Sequence, residues 1–189
     1  ELVSNSFFET YVKKLQSSKL SIANMRAGNV IGGGDFGINR IIPDIHRTIK
    51  SGEILQLRMP YAIRPWQHVL DCLFGYLYAL NFIANSEEYI SVNFNVGPQD
   101  LREITVLDIC KQAKKWFPGL SYNLNTDVVA ESKFLLLDSM LLTKCTGWKP
   151  LYNTEQAVEK TFKWYYNFEN GSDVSKLVND DIEDYLNKT

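Results

Sequence analysis

Six residues, Gly32-Gly33-Gly34-Asp35-Phe36-Gly37, spell G-x-G-x-x-G behind the apolar run Leu20-Ser21-Ile22-Ala23-Asn24-Met25-Arg26. Glycines at that spacing permit a tight turn, close backbone approach to a phosphate and close packing of a helix, the arrangement that holds a dinucleotide pyrophosphate. It requires a strand before the loop, a helix directly after it, and an acidic residue about 20 positions on to meet the ribose. Lys19–Met25 reads as the strand. Ile38, Ile41, Ile42, Ile45 and Ile49 recur at helical spacing, and Pro43 falls early enough to sit in a first turn. The acid is missing, because the next apolar run, Ile54-Leu55-Gln56-Leu57, ends in Arg58. The fingerprint is incomplete, and a loop that binds another ligand, or only turns the chain, stays open. No Gly-Lys-Ser/Thr follows, which excludes a Walker loop.

The chain has 189 residues, enough for one large domain or two small ones with a real core. Its net charge is −2 with no basic block, which argues against non-specific nucleic-acid binding. Cys72, Cys110 and Cys145 are odd in number and widely spaced. They read as buried thiols in a reducing cytoplasm rather than a disulfide frame or metal site. His46 and His68 alone give no zinc pattern. No apolar stretch approaches the roughly 18 residues of a membrane span, and no signal peptide opens the chain. It begins at Glu1 inside an expected helix, which suggests a fragment.

Residues 2–16 carry a helical stripe of Leu2, Phe7, Phe8, Tyr11, Val12 and Leu15, with Lys13 and Lys14 outside it. Ile54–Leu57 is a short strand, Met59-Pro60-Tyr61 a turn, and Arg64-Pro65-Trp66 extended, since a residue before proline avoids the helical region. A strongly apolar helix is expected from Asp71 to about Ala84, through Leu73, Phe74, Leu77, Leu80 and Phe82. Val92–Val96 alternates as a strand up to Gly97-Pro98. Thr105 to Asp108 opens a helix ending near Trp116, with Pro118-Gly119 as its stop. Tyr122–Val129 and Phe134–Leu137 read as extended. Asp138-Ser139 starts a short helix to about Cys145, and Gly147–Pro150 turns. Asn153 caps a long helix through about Phe168, and a last helix follows Ser172. The pattern is α/β, with early βα character and a helix-rich second half. The first half holds too few strands for a complete parallel sheet.

Three strand ends carry polar residues that a core does not need: Arg26–Asn29, Ile63–Asp71 and Asn93–Pro98. In open α/β sheets ligands bind beyond the carboxyl ends of strands. There an Asn amide can donate to a phosphate and an Arg can grip it with a two-pronged fork. Plainer readings stand beside these. Asn29 suits a turn, Arg64 a surface charge stacked on Trp66, His68 a core histidine and Asp71 a helix cap. Trp116, Trp148 and Trp164 read as core, and Lys13-Lys14 and Lys114-Lys115 as solvated helix faces. No nucleophile–base pair, Tyr-x-x-x-Lys or Gly-x-Ser-x-Gly can be assembled, so the chain offers ligand-holding residues without a catalytic centre.

At these strand ends the sequence resembles the nucleotide-sugar branch of the extended short-chain dehydrogenase/reductases, the NAD-dependent epimerase/dehydratase family. Within it the resemblance is nearest to the 4,6-dehydratases that act on CDP-hexoses. Arg26–Asp35, Arg40–Ile45, Ala62–Asp71 and Phe94–Pro98 carry it, with weaker support from Leu137–Ser139, Gly147–Pro150 and Trp164-Tyr165. It runs from Glu1 to about Tyr166. The run Ala62-Ile63-Arg64-Pro65-Trp66-Gln67-His68-Val69 is specific to this dehydratase group, and the other segments are shared more widely. Three positions depart from its pattern. Met59 stands where Asn is usual, Cys72 where Pro is usual, and Ala130-Glu131-Ser132 where His-Glu-Ala is usual.

The resemblance implies the C-terminal part of an extended Rossmann-type fold, the last strands and helices of its parallel sheet, plus the smaller mixed α/β substrate-binding domain. Residues 1–37 would close the NAD-binding domain and 38–170 form mainly the substrate domain, with Ala62–Leu70 and Phe94–Pro98 returning to the sheet. Residues 171–189 would be a C-terminal helix or tail. The cofactor is NAD, bound mainly by a half lying upstream of Glu1 together with the catalytic Tyr-x-x-x-Lys; no residue here is assigned to cofactor or metal. The partner is a CDP-sugar, gripped by Asn29 and Arg64 at the diphosphate, with Arg40 and Ile41 lining the nucleotide pocket and Asn95 completing it. In that chemistry NAD oxidises the sugar C4 hydroxyl, water is lost across C5 and C6, and the hydride returns to C6. The resemblance also implies a homodimer or homotetramer, a cytoplasmic site and a place in deoxysugar and O-antigen polysaccharide synthesis. On this reading the glycine run belongs to a later strand of the sheet, where it bends the backbone around a nucleotide sugar.

Overall fold

Alternation of apolar and polar residues builds short strands, and apolar residues at helical spacing build the helices between them. The computed structural model describes residues 1–14, 20–99, 103–125 and 132–189. Parts of the expected helix over 2–16, of the strand from Lys19 and of the extended segment to Val129 lie outside these residues, as do Ala130 and Glu131. In order, the described elements are α1 (Leu2–Phe7), continued by a π-helical turn over Phe8–Val12, then β1 (Ile22–Ala27) and β2 (Asn29–Ile31). There follow α2 (Ile41–Ser51), β3 (Leu55–Leu57), β4 (Trp66–His68), α3 (Val69–Ala84) and β5 (Ser91–Val96). The chain ends in α4 (Val106–Trp116), β6 (Tyr122–Leu124), α5 (Met140–Thr146), α6 (Thr154–Glu169) and α7 (Val174–Leu186). No helix among the described residues is long and apolar enough to cross a membrane.

Among the described residues the three strand pairs are all parallel. β1 pairs with β5, β2 with β4, and β3 with β6. β1 and β2 form nearly one line that changes partner at Gly28: the Gly28 N–H donates to the Val96 carbonyl (3.1 Å) and the Asn29 N–H to the Pro65 carbonyl (3.0 Å). A Cβ on Gly28 would stand 2.5 Å from that Pro65 oxygen, so only glycine lets the strands diverge there. Ala62–Leu70 thus contributes β4, and Phe94 and Val96 lie in β5.

Two buried clusters hold the molecule. One gathers Ile31, Ile42, Ile45, Leu57 and Trp66 with α4, α6 and α7 through Ile109, Phe162, Trp164, Tyr165 and Tyr185. The other packs Phe94 and Val96 of β5 against Cys72, Ala79, Leu142 and Trp148. Thr105 and Asn153 each close a capping box, with Asp108 and Gln156, which satisfies two otherwise unpaired N–H groups per helix.

Several expectations change. α3 starts at Val69, because His68 Nδ1 accepts the Leu70 N–H (3.3 Å) and caps the helix. Asp71 is therefore no cap. It is buried and accepts the N–H groups of Leu151 (2.6 Å) and Tyr152 (3.2 Å) and the Tyr185 hydroxyl (2.8 Å). Burial raises its pKa more than these three donors lower it. Phe134–Leu137, read as extended, runs beside Ile63 through an isolated bridge at Phe134 and the Leu135 N–H donating to the Ile63 carbonyl (3.2 Å), with Phe134, Leu135 and Leu136 facing solvent. Leu73, Leu77 and Leu80 of the apolar α3 are likewise exposed.

Candidate functional site

The place where the β1–β2 line changes partner opens into a cleft of about 550 Å³. Such a break at strand carboxyl ends is where open α/β sheets take ligands. One wall comes from Gly28–Ile31, Arg64 and Trp66, a second from Asn39–Asp44, and a third from Leu55–Met59. Asn29, Arg40, Ile41 and Arg64 all line this cleft. Asn95 does not. In β5 it stands beside Arg26 of β1, accepts that guanidinium (3.0 Å) and donates to the Asp138 carbonyl (3.0 Å).

Arg64 is only 9 % exposed, which rules out the surface-charge reading. Its Nη1 donates to the Ile63 carbonyl (2.9 Å), and the extended backbone before Pro65 turns it into the cleft wall. Arg40 immediately precedes α2 and has no side-chain capping role. It pairs with Asp35 at 3.0 Å, and the same carboxylate accepts the Gly37 N–H (2.9 Å). Burial pushes the Asp35 carboxyl up, but the Gly37 N–H and the Arg40 and Arg47 guanidinium groups outweigh it and hold the pKa below the ordinary carboxylate range. Asp35 also lines the cleft and went unassigned in the sequence reading, as did Gln56 and Arg58. Strand alternation beyond Ile54 was the signal available for the last two.

His68 is the buried histidine of the plainer reading. Burial, helped by the Lys160 charge, pushes its pKa down to about 4. Its Nε2 is buried without a partner among the described residues, as is Trp66 Nε1.

The glycine loop does not fit a dinucleotide. A Cβ on Gly33, a variable position of the motif, would lie 2.1 Å from the Trp164 ring, so glycine here makes room for α6. The Tyr165 hydroxyl donates to the Asp35 carbonyl, and Arg47 donates to the carbonyls of Phe36 (3.1 Å) and Gly37 (3.0 Å). The Gly37 N–H is already engaged by Asp35. α2 begins only at Ile41, and Ile38, read as part of its face, is 76 % exposed outside it. No group of three or more His, Cys, Asp or Glu among the described residues could hold a metal.

The described residues form a mixed α/β arrangement of parallel strand pairs with an arginine-lined cleft where strands part, and the solved structures it superimposes on are Rossmann-type enzymes. The NAD dependent epimerase/dehydratase family profile matches residues 3–97. The chain belongs to that family. CDP-glucose 4,6-dehydratase of Salmonella typhimurium is 32% identical over 193 residues, covering 100% of this chain and 54% of the relative. A UDP-glucose-4-epimerase from Stenotrophomonas maltophila, solved with NAD and formylated UDP-arabinopyranose, superimposes at TM-score 0.72 and 16% identity, over 90% of this chain and 54% of its own. The dTDP-glucose 4,6-dehydratase of Bacillus anthracis, solved with NAD, gives TM-score 0.67 and 20% identity, over 90% and 50%. The two solved structures establish the fold, and the chain spans about half the length of each of these relatives.

Proposed function

We propose that these residues form the nucleotide-sugar grip of a CDP-glucose 4,6-dehydratase, which converts CDP-D-glucose to CDP-4-dehydro-6-deoxy-D-glucose with loss of water. The convergence of Asn29, Arg40 and Arg64 on one cleft carries this reading, and the identity across the whole chain to a CDP-glucose enzyme supports it. A diphosphate suits the wall that carries Asn29 and Arg64. A planar guanidinium offers two parallel donors to phosphate oxygens, and an asparagine amide adds a third. Ile41 and Trp66 give the apolar surface that excludes water around the charges.

The Gly37 N–H held by Asp35 and the start of α2 only at Ile41 speak against NAD on the glycine loop. In this reading the cofactor, the Tyr-x-x-x-Lys and the proton transfers belong to a part of the enzyme that these residues do not supply. The chain alone binds without catalysing. The complete enzyme works as a homodimer or homotetramer in the cytoplasm, in deoxysugar and O-antigen synthesis. A UDP- or dTDP-sugar epimerase or dehydratase is the second reading, favoured by the formylated UDP-arabinopyranose bound to the Stenotrophomonas enzyme and by the dTDP-glucose activity of the Bacillus one.

Incubating the intact natural protein with NAD and CDP-, UDP- or dTDP-glucose, and following product by mass, tests this directly. Loss of one water from CDP-glucose is expected. Turnover confined to UDP- or dTDP-glucose would move the protein to the second reading.

A further inference from the structure

The third wall of the cleft has chemistry that a diphosphate does not need. Leu55 and Leu57 of β3 are buried, and Gln56 and then Arg58 are exposed along the same stretch; all four line the cleft. Among the described residues, the acids on the cleft are Asp35 and Asp44, paired with Arg40 and Arg47. Arg58 has no ion-pair partner among the described residues. An arginine and an amide two positions apart on a strand sit about 6.6 Å from each other, far enough to address opposite ends of one pyrimidine edge. Met59 and Val106 lie beside them on the cleft and offer apolar surface to the ring.

We propose that Arg58 selects the base, donating its two-pronged fork to the O2 and N3 acceptors of cytosine while the Gln56 carboxamide accepts from the exocyclic amine. The inference rests on the CDP-sugar reading above and adds the residues that make it CDP. Cytosine presents a donor at its amine and acceptors at N3 and O2. Uracil carries a hydrogen on N3, so an arginine there meets a donor with a donor. Gln56 discriminates less, because its amide can turn to donate to the uracil O4. Arg58 therefore carries the preference, and Arg64 and Asn29 hold the diphosphate common to both nucleotides.

The test is calorimetric titration of CDP and UDP into the intact natural protein and its Arg58→Lys and Arg58→Ala variants. The two nucleotides share one diphosphate, so their affinity ratio reads the base alone. Arg58 is exposed, and Lys keeps its charge while removing the fork. The wild-type protein is expected to favour CDP, and both variants to lose about tenfold or more of that preference, as for a two-pronged arginine–base contact. An unchanged ratio, or equal weakening of both nucleotides, would overturn the assignment and make Arg58 a phosphate ligand. A wild-type protein that binds UDP as tightly as CDP would instead defeat the CDP reading itself.

Discussion

Gly33 has no side chain because Trp164 occupies the space above it. A methyl group there would stand 2.1 Å from the indole, and the ring cannot yield because it is buried and stacked on Phe168. Gly33→Ala is expected to destabilise the fold by about 1–3 kcal/mol, the usual cost of overpacking a core. Gly119→Ala, with nothing within 4 Å of the added carbon, should stay within about 0.5 kcal/mol. Denaturant midpoints of the two variants check this, and equal midpoints would show that Trp164 is free to move. The spacing of the glycines was plain in the sequence. Their purpose was not, because the residue that requires Gly33 is supplied by a helix far along the chain. Asp71 was illegible for the same reason, its partners being Leu151, Tyr152 and Tyr185.

Among the elements, helix ends governed by local chemistry were readable. Thr105 and Asn153 meet their Asp108 and Gln156 partners three residues on, a distance any sequence displays. α3 was misplaced by two residues because a histidine caps it, and His68 does so only in its neutral form at Nδ1. Burial and the Lys160 charge lower its pKa from 6.5 to about 4 in the folded state. Between those values the unfolded chain binds the proton and the folded one does not. The stability from neutral His68 is therefore complete above pH 6.5 and is lost as pH falls towards 4, by roughly 3 kcal/mol for a shift of this size. Denaturant midpoints measured from pH 7 to pH 4 should fall across that window. His68→Asn, which keeps a capping acceptor, should flatten the slope; an unaltered slope would place the titrating group elsewhere. Carboxylates held low by their partners, such as Asp35 and Asp108, act in a more acidic range.

Across the whole molecule, β1–β2 acts as a seam between two buried clusters, and the cleft opens where that seam changes partner. Asn29 and Arg64 could be nominated because each stands beside a strand end, whereas Arg40 and Ile41 came from the family resemblance alone. Their meeting in one cleft, and the exclusion of Asn95 from it, follow from register. Asn95 lies opposite Arg26 on a different strand pair, which periodicity cannot reveal. Of the four, Arg64 is the most sheltered, and a guanidinium on a sheltered wall interacts with a phosphate more strongly than one in open water. The deciding measurement is titration of CDP-glucose into the intact natural protein and its Arg64→Ala variant, with folding verified by circular dichroism. Loss of one charge-assisted contact should weaken binding by about 1.5–3 kcal/mol. A folded variant that binds CDP-glucose as tightly as the parent would contradict the assignment of this cleft to the nucleotide sugar.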